Sequence, residues 1–340
     1  MPMQVLLTTD TELSSALHEQ GVSAADNYAR SIEGRCRRGR SWGVPYQLEQ
    51  LRHWGLKTVF FVDPMPALVY GPQIIADIVG PLRAQGHEVQ LHIHTEWLDH
   101  VTDSPVGDRS GRNMADFSLD DQKRLLAVGR DLLTDAGAPP PTAFRAGNYG
   151  ANDDTLRALA ALGFTWDSSF NPAQLGGDCQ IDLPSDTRHV RTHRGAQICP
   201  ISVIEDRSGC LRHAQLCALS AREMRAALHH AVATDAQFFN IVNHSFELFV
   251  RKARRGNWLL ARRFRALCRT IAQEPGMTSG GFRELERRDL RRGAKALPAS
   301  LTRRTMRMAE QAGSRLLIED RPSLPSSLPT SLSKPLSSED

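Results

Sequence analysis

The sequence predicts an α/β fold of parallel strands alternating with helices. Three observations carry this. Short apolar or β-branched runs recur at residues 5–9, 57–62, 89–93, 142–145 and 238–242, each the length of a buried strand. Stretches with helical periodicity and their own start and stop signals separate them. The strand candidates end on polar or charged residues, and α/β proteins place their chemistry at the C-terminal strand ends.

The elements follow in order. Residues 5–9 form a strand that stops on Asp10, Thr11 and Glu12. A weakly patterned helix over 14–29 leads to an arginine-rich loop with Arg35, Arg37, Arg38 and Arg40. Pro45 opens a helix to Trp54, Gly55 ends it, and the strand 57–62 comes next. Residues 73–85 make a helix with Ile74, Ile75, Ile78, Val79 and Leu82 inward, and Gly86 closes it. The strand 89–93 returns the chain, so β–α–β–α–β with parallel pairing and right-handed crossovers is the expectation. A long polar loop over 103–116 precedes a helix capped by Ser118 and stopped by Gly137 and Pro139 to Pro141. A strand over 142–145, a helix over 153–162 and a short strand over 164–166 follow. Residues 171–193 read as irregular, 197–203 as a strand, 221–233 as a helix and 238–242 as the last buried strand. Residues 251–269 form a basic stretch with an apolar face, suited to packing, to an anionic substrate group or to a membrane surface. Another basic helix is expected over 301–318, and residues 321–340 are Ser/Pro-rich and expected to be disordered.

Composition bounds the function. The chain has 340 residues, 41% hydrophobic and 24% charged, with a formal net charge of +4. That charge is too mild to imply specific nucleic-acid binding. No apolar run reaches the roughly 18 residues of a transmembrane span. No signal core is recognisable at the N-terminus, and the six cysteines form no CxxC pair, so a reduced, cytoplasmic protein is the expectation.

The strand ends carry the chemistry. In GHEVQLHIHTEWLD, residues 86–99, strand alternation points His92 and His94 the same way, with Cα atoms roughly 6.5 Å apart. One metal ion spans that distance, and Glu96 follows where the strand should end. Asp10 and Glu12 are likewise two apart, and burying two bare carboxylates is costly unless a cation is near. Arg145 and His244 stand at two further strand ends. In a parallel sheet or barrel all four ends open on one face.

The order and spacing of these motifs resemble a polysaccharide deacetylase of the NodB-homology type, carbohydrate esterase family 4. The resemblance covers residues 5–248. It rests on LTTDTE (7–12), GHEVQLHIHTEW (86–97), FRAGNYG (144–150), WDSSF (166–170) and IVNHS (241–245). It implies a distorted (β/α)7 barrel that removes N- or O-acetyl groups from sugars with a divalent metal. Residue by residue, it implies Asp10 as catalytic base, Arg145 as its orienting partner and His244 as general acid. Tyr149 would help hold an oxyanion, and Trp166 and Phe170 would line an acetyl pocket. The family's adjacent ligand Asp falls on Thr11, which makes Glu12 the substitute. Its first metal histidine falls on His92 and its second on Glu96, so either Glu96 or His94 completes the set. Such ligands suit zinc, and also accommodate cobalt, manganese, iron or nickel.

The expected organisation is a catalytic barrel over 1–290, a basic helical extension over 291–320 and a tail over 321–340. The expected function is a metal-dependent deacetylase acting on an acetylated sugar or glycan intermediate in the cytoplasm. Two alternatives stay open: hydrolysis of a non-sugar amide on the same fold, and a catalytically silent barrel that binds a glycan or anionic partner.

Overall fold

The computed structural model describes residues 2–37, 39–285 and 292–317. Its strands are β1 (Met3–Thr11), β2 (Val59–Val62), β3 (Glu88–Ile93), β4 (Ala143–Ala146), β5 (Trp166–Asp167), β6 (Arg191–His193), β7 (Ala196–Ile198), β8 (Val203–Arg207), β9 (Cys210–His213), β10 (Phe238–His244), β11 (Phe249–Val250), β12 (Arg255–Gly256) and β13 (Met277–Ser279). The main sheet runs β10-β1-β2-β3-β4-β5-β7-β6. Every neighbour from β10 to β7 is parallel, and β6 joins β7 as an antiparallel hairpin arm. Helices occupy most of the crossovers, as parallel pairing requires. The sheet closes irregularly. Ser202, just past β7, donates its N–H to the Asn240 carbonyl at 3.1 Å, and Ala214 and Leu216 flank Val242 of β10. This is the distorted (β/α)7 barrel of the NodB type.

Alternation along the strands sorts the core into two layers. Val5, Leu7, Phe60, Val62, Leu91 and Ile93 pack with helix residues such as Ile75, Ile78, Leu125 and Leu126. Leu6, Val59, Phe61, Ala143, Trp166 and Phe238 form a second cluster inside the barrel, with Phe282 and Leu285. β1 is buried along its whole length, as a strand covered on both faces must be. The inward parity that buries Leu6 carries Asp10 to the top of the barrel, where it pairs in register with His244. The same parity sets His92 beside Arg145.

Several boundaries depart from the sequence reading, each for a local reason. The single helix over 14–29 is two, Ser15–Glu19 and Ala24–Ser31, because Gly21 adopts φ +73° between them. The strand over 197–203 is also split. Its second half is β8, which forms a separate antiparallel hairpin with β9 across the Ser208–Gly209 turn. The helix Trp258–Gln273 is basic, but not all its arginines are solvated. Arg263 is 2% exposed and donates to the Leu216 and Cys217 carbonyls. Helix Leu301–Leu317 lies against the barrel: Arg307 reaches Glu223 at 3.0 Å and also pairs with Asp206, and Glu310 meets Arg263 at 3.1 Å. Residues 321–340, read from sequence as a tail, lie outside the described residues.

Candidate active site at the strand ends

The tops of β1, β2, β3, β4 and β10 converge on one cluster of charged side chains. Glu12, His92 and His94 bring three ligand atoms within 4.8 Å of one another. The Nδ1–H of His92 donates to the Arg145 carbonyl at 2.7 Å, which leaves Nε2 to face Glu12 at 3.2 Å. His94 lies just beyond β3, its Nε2 2.6 Å from the same Glu12 oxygen. Its Nδ1 lies 3.1 Å from Glu96, and Glu96 in turn accepts from Asn148. Glu96 therefore stands behind His94, on its outer nitrogen. After β3 the chain enters the 3-10 helix Thr95–His100, so the two-residue period stops and Glu96 does not extend the row. Gly147 permits this packing: a Cβ there would come within 2.8 Å of His94 Nδ1 and the Ile93 carbonyl.

The cluster couples carboxylates to imidazoles. Burial opposes charge on Glu12 and on His94. Yet His94 and His92 hold Glu12 well below the usual carboxylate range, and Glu12 and Glu96 hold His94 well above the usual imidazole range. Two imidazoles and one carboxylate are a donor set that fits a divalent metal with room for a further ligand. The hydrogen bond from His92 to the Arg145 carbonyl is the kind of outer partner that fixes a ligand's ring and tautomer.

Asp10 lies beside this cluster. Arg145, 0% exposed at the end of β4, places Nη1 2.5 Å from Asp10 Oδ1. Its remaining N–H groups donate to the Ser168 carbonyl at 3.3 Å and hydroxyl at 3.0 Å. Its guanidinium lies 4.2 Å over the Phe61 ring. His244 Nε2 stands 3.9 Å from the other Asp10 oxygen. His244 Nδ1 donates to Glu247 at 2.7 Å, and Gln215 donates to the same Glu247 oxygen at 2.5 Å. Burial pushes the imidazole pKa down, but Glu247 first, then Asp10 and Glu12, outweigh it and raise it to about 9. His244 thus holds a proton on the nitrogen that faces Asp10.

Tyr149 follows Asn148 in a turn where both take left-handed backbone, φ 59° and 56°. Its half-buried ring sits 6.1 Å from His213, and burial and then Asp10 keep its hydroxyl protonated. Trp166 and Phe170 are placed elsewhere. Trp166, 1% exposed, packs 5.7 Å from Phe282 in the barrel interior. Phe170, 0% exposed, belongs to the outer core. Both side chains are buried in the core in this structure. Side-chain parity explains Trp166: it shares the inward row of Leu6 and Phe61, below the strand ends.

Sequence reasoning passed over two residues. Asp63 directly follows β2, fully buried, with Oδ1 accepting from Met65 N–H at 3.0 Å and Oδ2 without a partner among the described residues. Burial pushes its carboxyl up to about 7, against the pull of His94 and His92. Its signal was available, because it ends a buried strand as Asp10 and Arg145 do. Glu247 had no such signal: it matters because a turn after β10 folds it back onto His244.

Fold and strand-end site together define a protein of polysaccharide-deacetylase architecture. Among solved structures, the chain is similar to a Mycobacterium smegmatis protein named by inference as a polysaccharide deacetylase. The two share 18% identity at a TM-score of 0.51, covering 84% of this chain and 88% of that one. It is also similar to 4-alpha-glucanotransferase from Thermococcus litoralis, at 11% identity and TM-score 0.51, over 94% of this chain and 45% of that one. A family 4 carbohydrate esterase from Streptomyces lividans, in complex with acetate, aligns at 13% identity and TM-score 0.41, over 87% and 98% of the two chains. No protein-family model and no curated protein sequence matches the chain. The two likenesses at TM-score 0.51 show the fold. A glucanotransferase shares it equally well, so the reaction has to be argued from the site.

Proposed function

We propose that the chain is a metal-dependent hydrolase that removes an acetyl group from an N- or O-acetylated sugar or glycan intermediate. One observation carries this reading: the Glu12–His92–His94 cluster, the Asp10–Arg145 pair and protonated His244 meet on one face of the barrel. Glu12, His92 and His94 would hold a divalent metal, most simply zinc, which when bound would supply Lewis-acid polarisation and a more acidic water. The protein's own groups divide the proton transfers. Arg145 holds Asp10 in place through their 2.5 Å ion pair, and Asp10 accepts a proton from the attacking water. His244, on the far side of Asp10, gives a proton to the leaving nitrogen or oxygen. The turn at Asn148 and Tyr149 bears backbone N–H groups suited to developing negative charge. Among the described residues no helix is long and apolar enough to cross a membrane. All six cysteines are free, which supports a reducing, cytoplasmic setting and so a precursor sugar rather than mature wall polymer. Acetate release from acetylated nucleotide sugars and glycan oligomers by zinc- or cobalt-loaded protein tests the reading. Bound metal below about half an equivalent, with no thermal stabilisation by added metal, would overturn it in favour of a silent barrel.

The geometry favours His94 over Glu96 as the direct ligand. His94→Gln is expected to abolish stoichiometric metal retention. Glu96→Gln is expected to weaken metal affinity by about 10–100-fold, the effect of removing a group that orients a ligand. Metal titration with a competing chelator measures both, and a larger loss in Glu96→Gln would reverse the assignment.

The His244–Glu247 pair sets a pH limit. A general acid raised to about 9 stays charged at neutral pH and loses its proton as pH climbs through that value. The alkaline limb of kcat/KM is therefore expected near pH 9. In Glu247→Gln, burial acts with less opposition and the limb is expected to fall by at least about one unit. An unmoved limb would remove Glu247 from this role.

A further inference from the structure

The turn that follows β10 carries a cation with no counter-charge of its own. Arg251 lays its guanidinium 4.0 Å over the face of Phe246. Phe246 in turn stacks on His244, ring centroids 5.3 Å apart. Arg251 Nε is buried and has no hydrogen-bond partner, and no carboxylate lies within salt-bridge distance of Arg251 among the described residues. The acid that acts on it electrostatically is Glu12, and Glu12 is already engaged by His92 and His94. Arg251 is partly buried, its guanidinium is left without a paired anion, and a metal at Glu12 would cancel what little compensation that carboxylate gives. The neighbouring surface adds positive charge. The 34–42 loop abuts this turn, where Arg37 N–H bonds the Arg254 carbonyl at 3.3 Å, and Arg40 stacks on Trp42 at 4.5 Å. The planar, five-donor fork of Arg suits an oxyanion.

We propose that Arg251 receives an anionic group of the substrate, a phosphate or a carboxylate, on the same aromatic stack that carries His244. This rests on the hydrolase reading for its place in the reaction, but the anion site stands on its own geometry. It selects acetylated sugars that bear phosphate or carboxylate over neutral ones. The guanidinium Nη groups hold the oxyanion, and stacking on Phe246 fixes the plane of the fork.

Calorimetric titration of the metal-loaded full chain tests this with three ligands: N-acetylglucosamine, N-acetylglucosamine 1-phosphate and N-acetylmuramic acid. Wild type is expected to prefer an anionic ligand over the neutral sugar at least tenfold. The ligand that shows the preference distinguishes phosphate from carboxylate. Arg251→Gln is expected to lower that ratio about tenfold or more. Phe246→Leu, which removes the stacking face, is expected to lower it by a smaller factor and serves if Arg251→Gln does not fold. Equal binding of all three ligands by wild type, or an unchanged ratio in the folded variants, overturns the proposal. Acetate release is measured on the same samples. An anion preference abolished by Arg251→Gln but without acetate release would reject the hydrolase reading and leave the anion site standing.

Discussion

Asp10→Asn is expected to reduce turnover by about 10²–10⁴-fold, the range for loss of a positioned general base, while metal content and fold are retained. The asparagine oxygen can still accept from Arg145 Nη1, which now lies 2.5 Å from Asp10 Oδ1. The ligand cluster is Glu12, His92 and His94 and does not include Asp10, so affinity for zinc or cobalt should not move. What disappears is the capacity to accept a proton at this point, because an amide oxygen is a far weaker base than a carboxylate. Acetate release by the purified variant, with metal analysis on the same sample, checks both halves. Lost metal would make Asp10 a ligand, and full activity would move the base elsewhere, with the buried carboxyl of Asp63 a candidate.

The site was legible in the sequence where strand parity governs it. Asp10, His92, Arg145 and His244 lie on inward rows of parallel strands, and a period of two extended past an apolar run is enough to set them on one face. The same rule fails one residue beyond the strand. His94 is still close to the β3 row, but Glu96 sits on a 3-10 turn, and spacing alone cannot distinguish a ligand from the group behind it. Trp166 and Phe170 show a different limit. Aromatic residues near a motif fit a pocket or a core equally well in sequence, and sequence could not show that both side chains are buried here. Gln215 and Glu247 were illegible for a third reason. They meet His244 through the segment that closes the barrel irregularly and through a tight turn, and neither path has a periodic signature. The β8–β9 hairpin was missed because its Ser-Gly turn is flanked by Glu205, Asp206 and Arg207 on one side and Arg212 and His213 on the other, which blurs the strand pattern.

Arg145→Met is expected to destabilise the fold by about 3–5 kcal/mol, the cost of breaking a buried ion pair from one side. The guanidinium is 0% exposed and satisfies Asp10 and two Ser168 atoms at once. Removing it leaves Asp10, 3% exposed, as a carboxylate in a low-dielectric interior with His244 at 3.9 Å as its remaining cation. A methionine of similar length can refill the space over Phe61, so the loss is chiefly electrostatic rather than a cavity. That distinction is testable with a double-mutant cycle. If the cost comes from the stranded carboxylate, adding Asp10→Asn to Arg145→Met should restore at least about 1 kcal/mol, because a neutral amide is cheaper to bury than a charge. If the cost comes from lost packing, the two substitutions should add. Urea unfolding of the wild type, both single variants and the double variant, all without metal, measures the coupling. Additivity would make Arg145 a packing residue that happens to touch Asp10. Recovery would show that this arginine exists to keep a negative charge buried and ready at the top of β1.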